Sequence, residues 1–82
     1  MLSCQLYTTV GCHLCDEAAV LFSPYVEAGY LAVEDVDIAD SDVLMSEYAL
    51  KIPVLKCGDA ELAWPFDEVR LHGFLEELAQ KP

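Results

Sequence analysis

Positive charge is the scarcest property of this sequence. Only Lys51, Lys56, Arg70 and Lys81 carry it, against fifteen Asp and Glu, giving a formal net charge of −11 at pH 7. A domain so acidic repels nucleic acid and anionic membrane surfaces, and neither is expected as a partner. No apolar run approaches the roughly 18 residues that a membrane span requires. The opening stretch MLSCQLYTTV has neither a basic n-region nor a long apolar h-region, so no secretory signal is read there and a reducing cytoplasm is the expected compartment. There is no Gly/Pro/Ser-rich linker, no internal repeat and no low-complexity tract. At 82 residues the chain is expected to form one domain, 1–82, and to act as a monomer.

What the chain does have is apolar mass and four cysteines. Hydrophobic residues make up 55% of it, which argues for a folded globule with a small core rather than disorder. The acidic excess then reads as a solvated surface; a docking face for a basic partner is the sharper alternative, and nothing localises one. Cys12 and Cys15 form a CxxC in TTVGCHLCDEAAV. Two cysteines at that spacing can hold a metal, make a structural staple or carry out redox chemistry. A single CxxC without a second CxxC or a CxxH is half a zinc site, and His13 is too close to Cys12 for one metal to use both. Four cysteines could also form two disulfides in a secreted protein, but no secretion signal supports that.

The flanking pattern places the pair. In LSCQLY, Leu2, Cys4 and Leu6 alternate with Ser3, Gln5 and Tyr7, a strand with one apolar face. TTVG is a turn. From Leu14 onward Ala18, Leu21, Phe22, Tyr25 and Val26 recur at helical steps, with Asp16 and Glu17 in the first turns, Pro24 near the end and Gly29 as its stop. The CxxC therefore sits where a strand hands over to a helix. Free N–H groups at a helix start favour a thiolate, lowering a cysteine pKa below its free value of about 8.5. Cys12, the more exposed thiol, suits attack; Cys15, one turn further in, suits resolution. His13 either adds positive charge beside the sulfur or is an exposed spacer.

The rest reads as Tyr30–Ile38, a strand parallel to the first; a helix capped by Asp40 or Ser41, using Val43, Leu44, Met45 and Tyr48; strands Ile52–Cys57 and Glu61–Trp64 around GDA; and a helix capped by Asp67, with Phe66 stapled to Leu71 and with Phe74, Leu75 and Leu78 buried. Gly73 weakens that last helix and is expected to mark a close packing contact. Trp64 is expected to cover the core, the alternative being that it lines a substrate groove. Cys4 is expected to be a buried structural thiol, and Cys57, beside Gly58, an exposed spectator, the alternatives for it being a glutathionylation or dimer site. The order is βαβαββα: an α/β fold with a mixed four-stranded sheet and helices on both faces.

A CxxC at the first strand–helix junction of that order resembles the thioredoxin superfamily, and within it the small glutaredoxin-like proteins of bacteria. The match is carried by LYTTVGCHLCDEA (Leu6 to Ala18), VEDVDI (Val33 to Ile38) and KIPVL (Lys51 to Leu55). The resemblance implies a cis Ile52–Pro53 bond beside Cys12, and an Ile52 backbone that pairs with an extended substrate by strand addition. Glutaredoxins commonly carry a basic residue before the CxxC and a Gly-Gly and acidic pair before the last helix. Here Thr8 or Thr9 and AWPFDEV stand in those places, leaving Lys51 for the basic part and Asp67 for the acidic part. The implied activity is thiol–disulfide exchange on protein or low-molecular-weight disulfides, with no bound cofactor and with glutathione as a reductant or co-substrate. The alternatives are ligation of a metal or iron–sulfur cluster through Cys12 and Cys15, and a non-catalytic interaction module on the same fold.

Overall fold

The alternation of Leu2, Cys4 and Leu6 becomes strand β1, Leu2–Thr8, in the computed structural model, which describes residues 1–80. Helix α1, His13–Glu27, crosses over the sheet and delivers the chain to β2, Leu31–Asp37. A helix of that length is the connection that a parallel pair requires. β2 then lies parallel to β1 from Leu2 opposite Leu31 to Thr8 opposite Asp37. Helix α2, Asp42–Tyr48, precedes the hairpin β3, Val54–Cys57, and β4, Ala60–Ala63; helix α3, Glu68–Gln80, ends the described chain. The sheet order is β2-β1-β3-β4, with β3 antiparallel to both β1 and β4.

The two faces of the sheet bury separate clusters. On one face Cys4, Leu6, Leu55 and Leu62 meet Ala18 and Phe22 of α1 and Leu71 and Leu75 of α3. On the other, Val54 meets Tyr48 of α2 and Ile38, with Tyr7, Leu44 and Ile52 packed around them. The period-2 alternation of each strand produces this division, since neighbouring residues of β3 such as Val54 and Leu55 point to opposite faces. Trp64 lies partly buried against the larger cluster and meets Phe66 edge to face, ring centroids 5.1 Å apart.

Local chemistry sets the element ends. α1 runs through Pro24 for three more residues and closes in a Schellman arrangement: the Tyr30 N–H donates to the Tyr25 carbonyl (2.9 Å) and the Gly29 N–H to the Val26 carbonyl (3.1 Å). Gly29 sits at φ 83°, where a Cβ is unfavourable. Tyr30 is thus committed to the cap, so β2 begins at Leu31 rather than at Tyr30. The Ser41 hydroxyl accepts from the Leu44 N–H at the head of α2, and the Asp67 carboxylate from the Arg70 N–H at the head of α3 (2.8 Å). Gly58, at φ 64°, occupies the first position of the two-residue β3–β4 turn, as a type II′ turn requires.

Several expectations change. Ile38–Asp40 forms a single 3-10 turn capped by Asp37 rather than extending β2. β3 starts at Val54 because the Ile52 N–H is bonded to the Tyr48 carbonyl (3.1 Å) at the end of α2, while Pro53 has no N–H to give. Met45 and Val43 are exposed, because a seven-residue helix turns only Leu44 and Tyr48 toward the sheet. Gly73 marks no close contact: a Cβ there meets nothing within 4 Å. Cys57 is buried, not exposed, and neither it nor Cys4 is a free thiol. The two are joined by a disulfide, because the antiparallel register sets them face to face. Ile52–Pro53 is cis, as the resemblance implies, and so is Trp64–Pro65, which nothing in the sequence signalled.

Candidate active site

Cys12 is the N-cap of α1. Gly11, at φ 79°, turns the chain after β1, the Cys12 N–H donates back to the Thr9 carbonyl (3.2 Å), and Cys12 itself is extended (φ −77°, ψ 99°). The helix then starts at His13, and its geometry brings Cys15 back beneath Cys12 one turn later. The Cys15 N–H points at the Cys12 sulfur, 3.2 Å away, so a cysteine fills the capping role that Ser or Asp usually plays. The two sulfurs are bonded, with Cα atoms 5.3 Å apart. Cys12 is half-buried and Cys15 only 5% accessible, so an incoming molecule meets the Cys12 sulfur first. An N–H aimed at a sulfur favours negative charge on it.

The residues next to the pair in the chain are exposed. The His13 side chain is 86% exposed and lies 3.9 Å from the Glu17 carboxylate, one turn on. Any charge it gains on protonation is therefore shared with Glu17. Val10, 91% exposed, and Leu14, 42% exposed, are each two residues from Cys12 in the chain and present apolar surface to solvent. Helical periodicity assigns Leu14 to the buried face, but the residues α1 buries are Cys15, Ala18 and Phe22. Val10 carried no signal beyond being an apolar residue in a turn.

The remaining candidates divide. Tyr7 pairs with Val54, so the register brings Pro53 alongside the end of β1, the end from which the Thr9–Cys12 turn departs. Pro53 is fully buried, and its carbonyl accepts from the Trp64 N–H at 3.0 Å. Ile52 is half-buried; its N–H is occupied by Tyr48, and its carbonyl accepts no backbone hydrogen bond among the described residues. Lys51 is exposed just before it, and its charge acts on Glu61. Asp67 is occupied as the cap of α3 and borders a hollow lined by Pro65, Phe66, Val69 and Arg70, which contains no cysteine.

Two further features escaped the sequence. The Tyr48 hydroxyl donates to Glu61 across the outer face of the sheet, and Lys56 approaches the same oxygen at 3.5 Å. The partners lie on different elements, so no local spacing announces them. An apolar cavity of about 490 Å³ lies between α1, α3 and the starts of β1 and β2, bordered by Leu2, Tyr25, Leu31, His72 and Leu75. It is at the opposite end of the sheet from Cys12, so it is not part of the cysteine site. Among the described residues no group of three or more His, Cys, Asp and Glu converges as a metal site, and none has a helix long and apolar enough to cross a membrane.

The sequence pattern that defines the glutaredoxin-like domain (DUF836) matches residues 3–76. The chain belongs to this glutaredoxin-like family. Two solved structures resemble this glutaredoxin-like domain over nearly its whole length. The X-ray structure of XcR50, a structural-genomics target protein from X. campestris, is 39% identical, covers 90% of this chain and 96% of its own, and superposes with a TM-score of 0.78. The solution structure of XcR50 is 40% identical, with 94% and 95% covered and a TM-score of 0.77. No curated protein matches the chain. The family and the fold are thus those that the CxxC and the βαβαββα order indicated, and the glutaredoxin-like domain carries its cysteine pair at disulfide distance.

Proposed function

We propose that this glutaredoxin-like protein is a thiol–disulfide oxidoreductase in which Cys12 attacks and Cys15 resolves. The observation that carries the reading is the capping geometry: a half-exposed Cys12 sulfur at the start of α1, bonded to a buried Cys15 whose N–H points back at it. In the reduced form the Cys12 thiolate attacks one sulfur of a substrate disulfide, forms a mixed disulfide and expels the other sulfur as a thiolate. The Cys15 thiolate then attacks the Cys12 sulfur, expels the substrate's remaining thiolate and leaves the Cys12–Cys15 disulfide. Two electrons from an external thiol reductant, glutathione or a protein dithiol, restore the pair.

Substrates are protein or low-molecular-weight disulfides. Exposed apolar side chains close in sequence to Cys12, Val10 and Leu14, suit a protein surface better than a bare tripeptide. The Ile52 carbonyl offers one backbone acceptor to an extended substrate; the N–H half of strand pairing requires the Tyr48 bond to be given up. Lys51 and Asp67 are the residues left to contact the charged ends of glutathione, and His13 the one left to tune Cys12. The test is the Cys15→Ser variant, mixed with a model protein disulfide, beside wild type assayed on the same disulfide with excess glutathione. A covalent adduct through Cys12, released by added dithiol, is the expected result. No adduct in the variant together with no turnover in the wild type would falsify the reading.

A further inference from the structure

Cys4 and Cys57 lie outside the CxxC, and the exchange reaction makes no use of them. The register that sets Gln5 opposite Lys56 and Leu6 opposite Leu55 sets Cys4 opposite Cys57 at the next step. Their Cα atoms are 4.3 Å apart. That is near the roughly 4.5 Å of a non-hydrogen-bonded antiparallel pair, in which side chains approach most closely. The sheet itself therefore brings the two sulfurs together. Both side chains point under α1 and α3, in the same cluster as Phe22, Leu71 and Leu75, and they are 3% and 7% accessible.

This environment is the reverse of the one around Cys12. Exchange requires a thiolate to reach a disulfide sulfur, and here the helices cover it. Apolar surroundings also disfavour the thiolate that either cysteine would need in order to attack. The other couple is out of reach: four residues of strand from Cys4 to Thr8 already span about 13 Å, and Cys12 lies beyond the strand's end.

We propose that Cys4 and Cys57 are a second redox couple, a structural cystine that clamps β1 to β3 and is insulated from exchange at Cys12–Cys15. Its formation removes two electrons and two protons from the thiols. A low-molecular-weight disulfide takes them up and leaves as two thiols, acting before the helices close over the sheet. The closed loop spans a sequence separation of 53 and contains the whole CxxC segment, so the bond restrains the unfolded chain as well as the native sheet.

The experiment uses the full chain carrying Cys12→Ser and Cys15→Ser, refolded in a glutathione redox buffer, so that its outcome is independent of the oxidoreductase reading. Alkylation of the native protein is expected to add nothing, and alkylation after reduction in denaturant to add two groups. Reduction is expected to lower Tm by on the order of 10 °C or more, and to leave Tm unchanged once Cys4→Ala and Cys57→Ala are added. In oxidised wild type, peptide mapping is expected to recover Cys4 linked to Cys57. Native reduction of that bond by dithiothreitol is expected to be at least about tenfold slower than that of Cys12–Cys15. Free thiols at Cys4 and Cys57 while Cys12–Cys15 is oxidised, equal reduction rates for the two bonds, or a Tm indifferent to reduction each overturn the proposal.

Discussion

Tyr48 and Glu61 show how much a single contact can hold on the face away from the cysteines. The phenol donates to the carboxylate, and that hydrogen bond, followed by burial, pushes Tyr48 from the ordinary 10.0 up to about 12. The same bond lowers Glu61 against the opposing effect of burial, with Lys56 helping. The signs set the window. A raised Tyr48 contributes stability that is complete below pH 10 and lost as pH climbs toward 12; a depressed Glu61 contributes stability that is complete above its ordinary value of 4.5 and lost as pH falls through the lowered one. Thermal melts from pH 7 down to pH 3 are therefore expected to fall more steeply for wild type than for Glu61→Gln, and parallel curves would remove Glu61 from the acid response. An ultraviolet phenolate titration is expected to lose its component near pH 12 in Tyr48→Phe. At the cysteine end the exposed apolar residue to test is Val10. If the exchange reaction is as proposed and Val10 meets the substrate, the uncharged truncation Val10→Ser is expected to lower kcat/KM for protein disulfides by on the order of tenfold, the scale of one lost apolar contact. A small disulfide should be little affected, and equal losses for both substrates would mean that Val10 supports the turn rather than the contact.

The elements owe their ends to caps, and α3 allows a balanced test. A Cβ at Gly73 enters open space in a helical backbone, so Gly73→Ala should stabilise the domain by about 1 kcal/mol, or roughly 4–8 °C in Tm. Asp67→Ala removes the acceptor of the Arg70 N–H and should cost about 1 kcal/mol. The sites share no partner, so the double variant is expected to melt close to wild type, within the few tenths of a kcal/mol that usually limit additivity. A Tm lowered by Gly73→Ala would mean that the position is not the open one described. Caps of this kind were legible in the sequence: Asp67 with Phe66 and Leu71, Ser41, and Gly29 all signal through fixed local offsets. So was the CxxC at a strand–helix junction, because spacing and a change of period are both local. What was not legible depended on distant parts of the chain. Cys57 looked exposed beside Gly58 until the register with β1 set it against Cys4. Ile52 looked like strand until its N–H was found committed to Tyr48. Periodicity gives the face of an element but not how much of that face its neighbours cover, and Met45 and Leu14 were misjudged for that reason.

At the scale of the whole molecule, charge outweighs any single pair. A net charge of −11 is confined to a body with a radius of gyration of 12.2 Å, comparable to the Debye length of about 10 Å at 0.1 M salt. Among the described residues the one lysine–carboxylate pair is Lys56–Glu61; the other two ion pairs depend on protonated His13 and His72. Repulsion therefore exceeds pairing, and sodium chloride should raise Tm, where a protein held by surface ion pairs would lose stability. The same field acts on every molecule that approaches Cys12. If the exchange reaction is as proposed, the rate of attack on oxidised glutathione, an anion, should rise with sodium chloride as repulsion is screened, and the rate with cystamine, a dication of similar reactivity, should fall. Single-turnover measurements with the reduced protein, from about 10 to about 200 mM salt, separate the two, because screening is nearly complete at the upper end. Opposite slopes mean that the acidic surface biases the protein toward cationic or neutral disulfides. The reverse slopes, a falling rate for oxidised glutathione and a rising one for cystamine, would instead show a local positive patch at the site of attack, with Lys51 the first residue to replace by Gln.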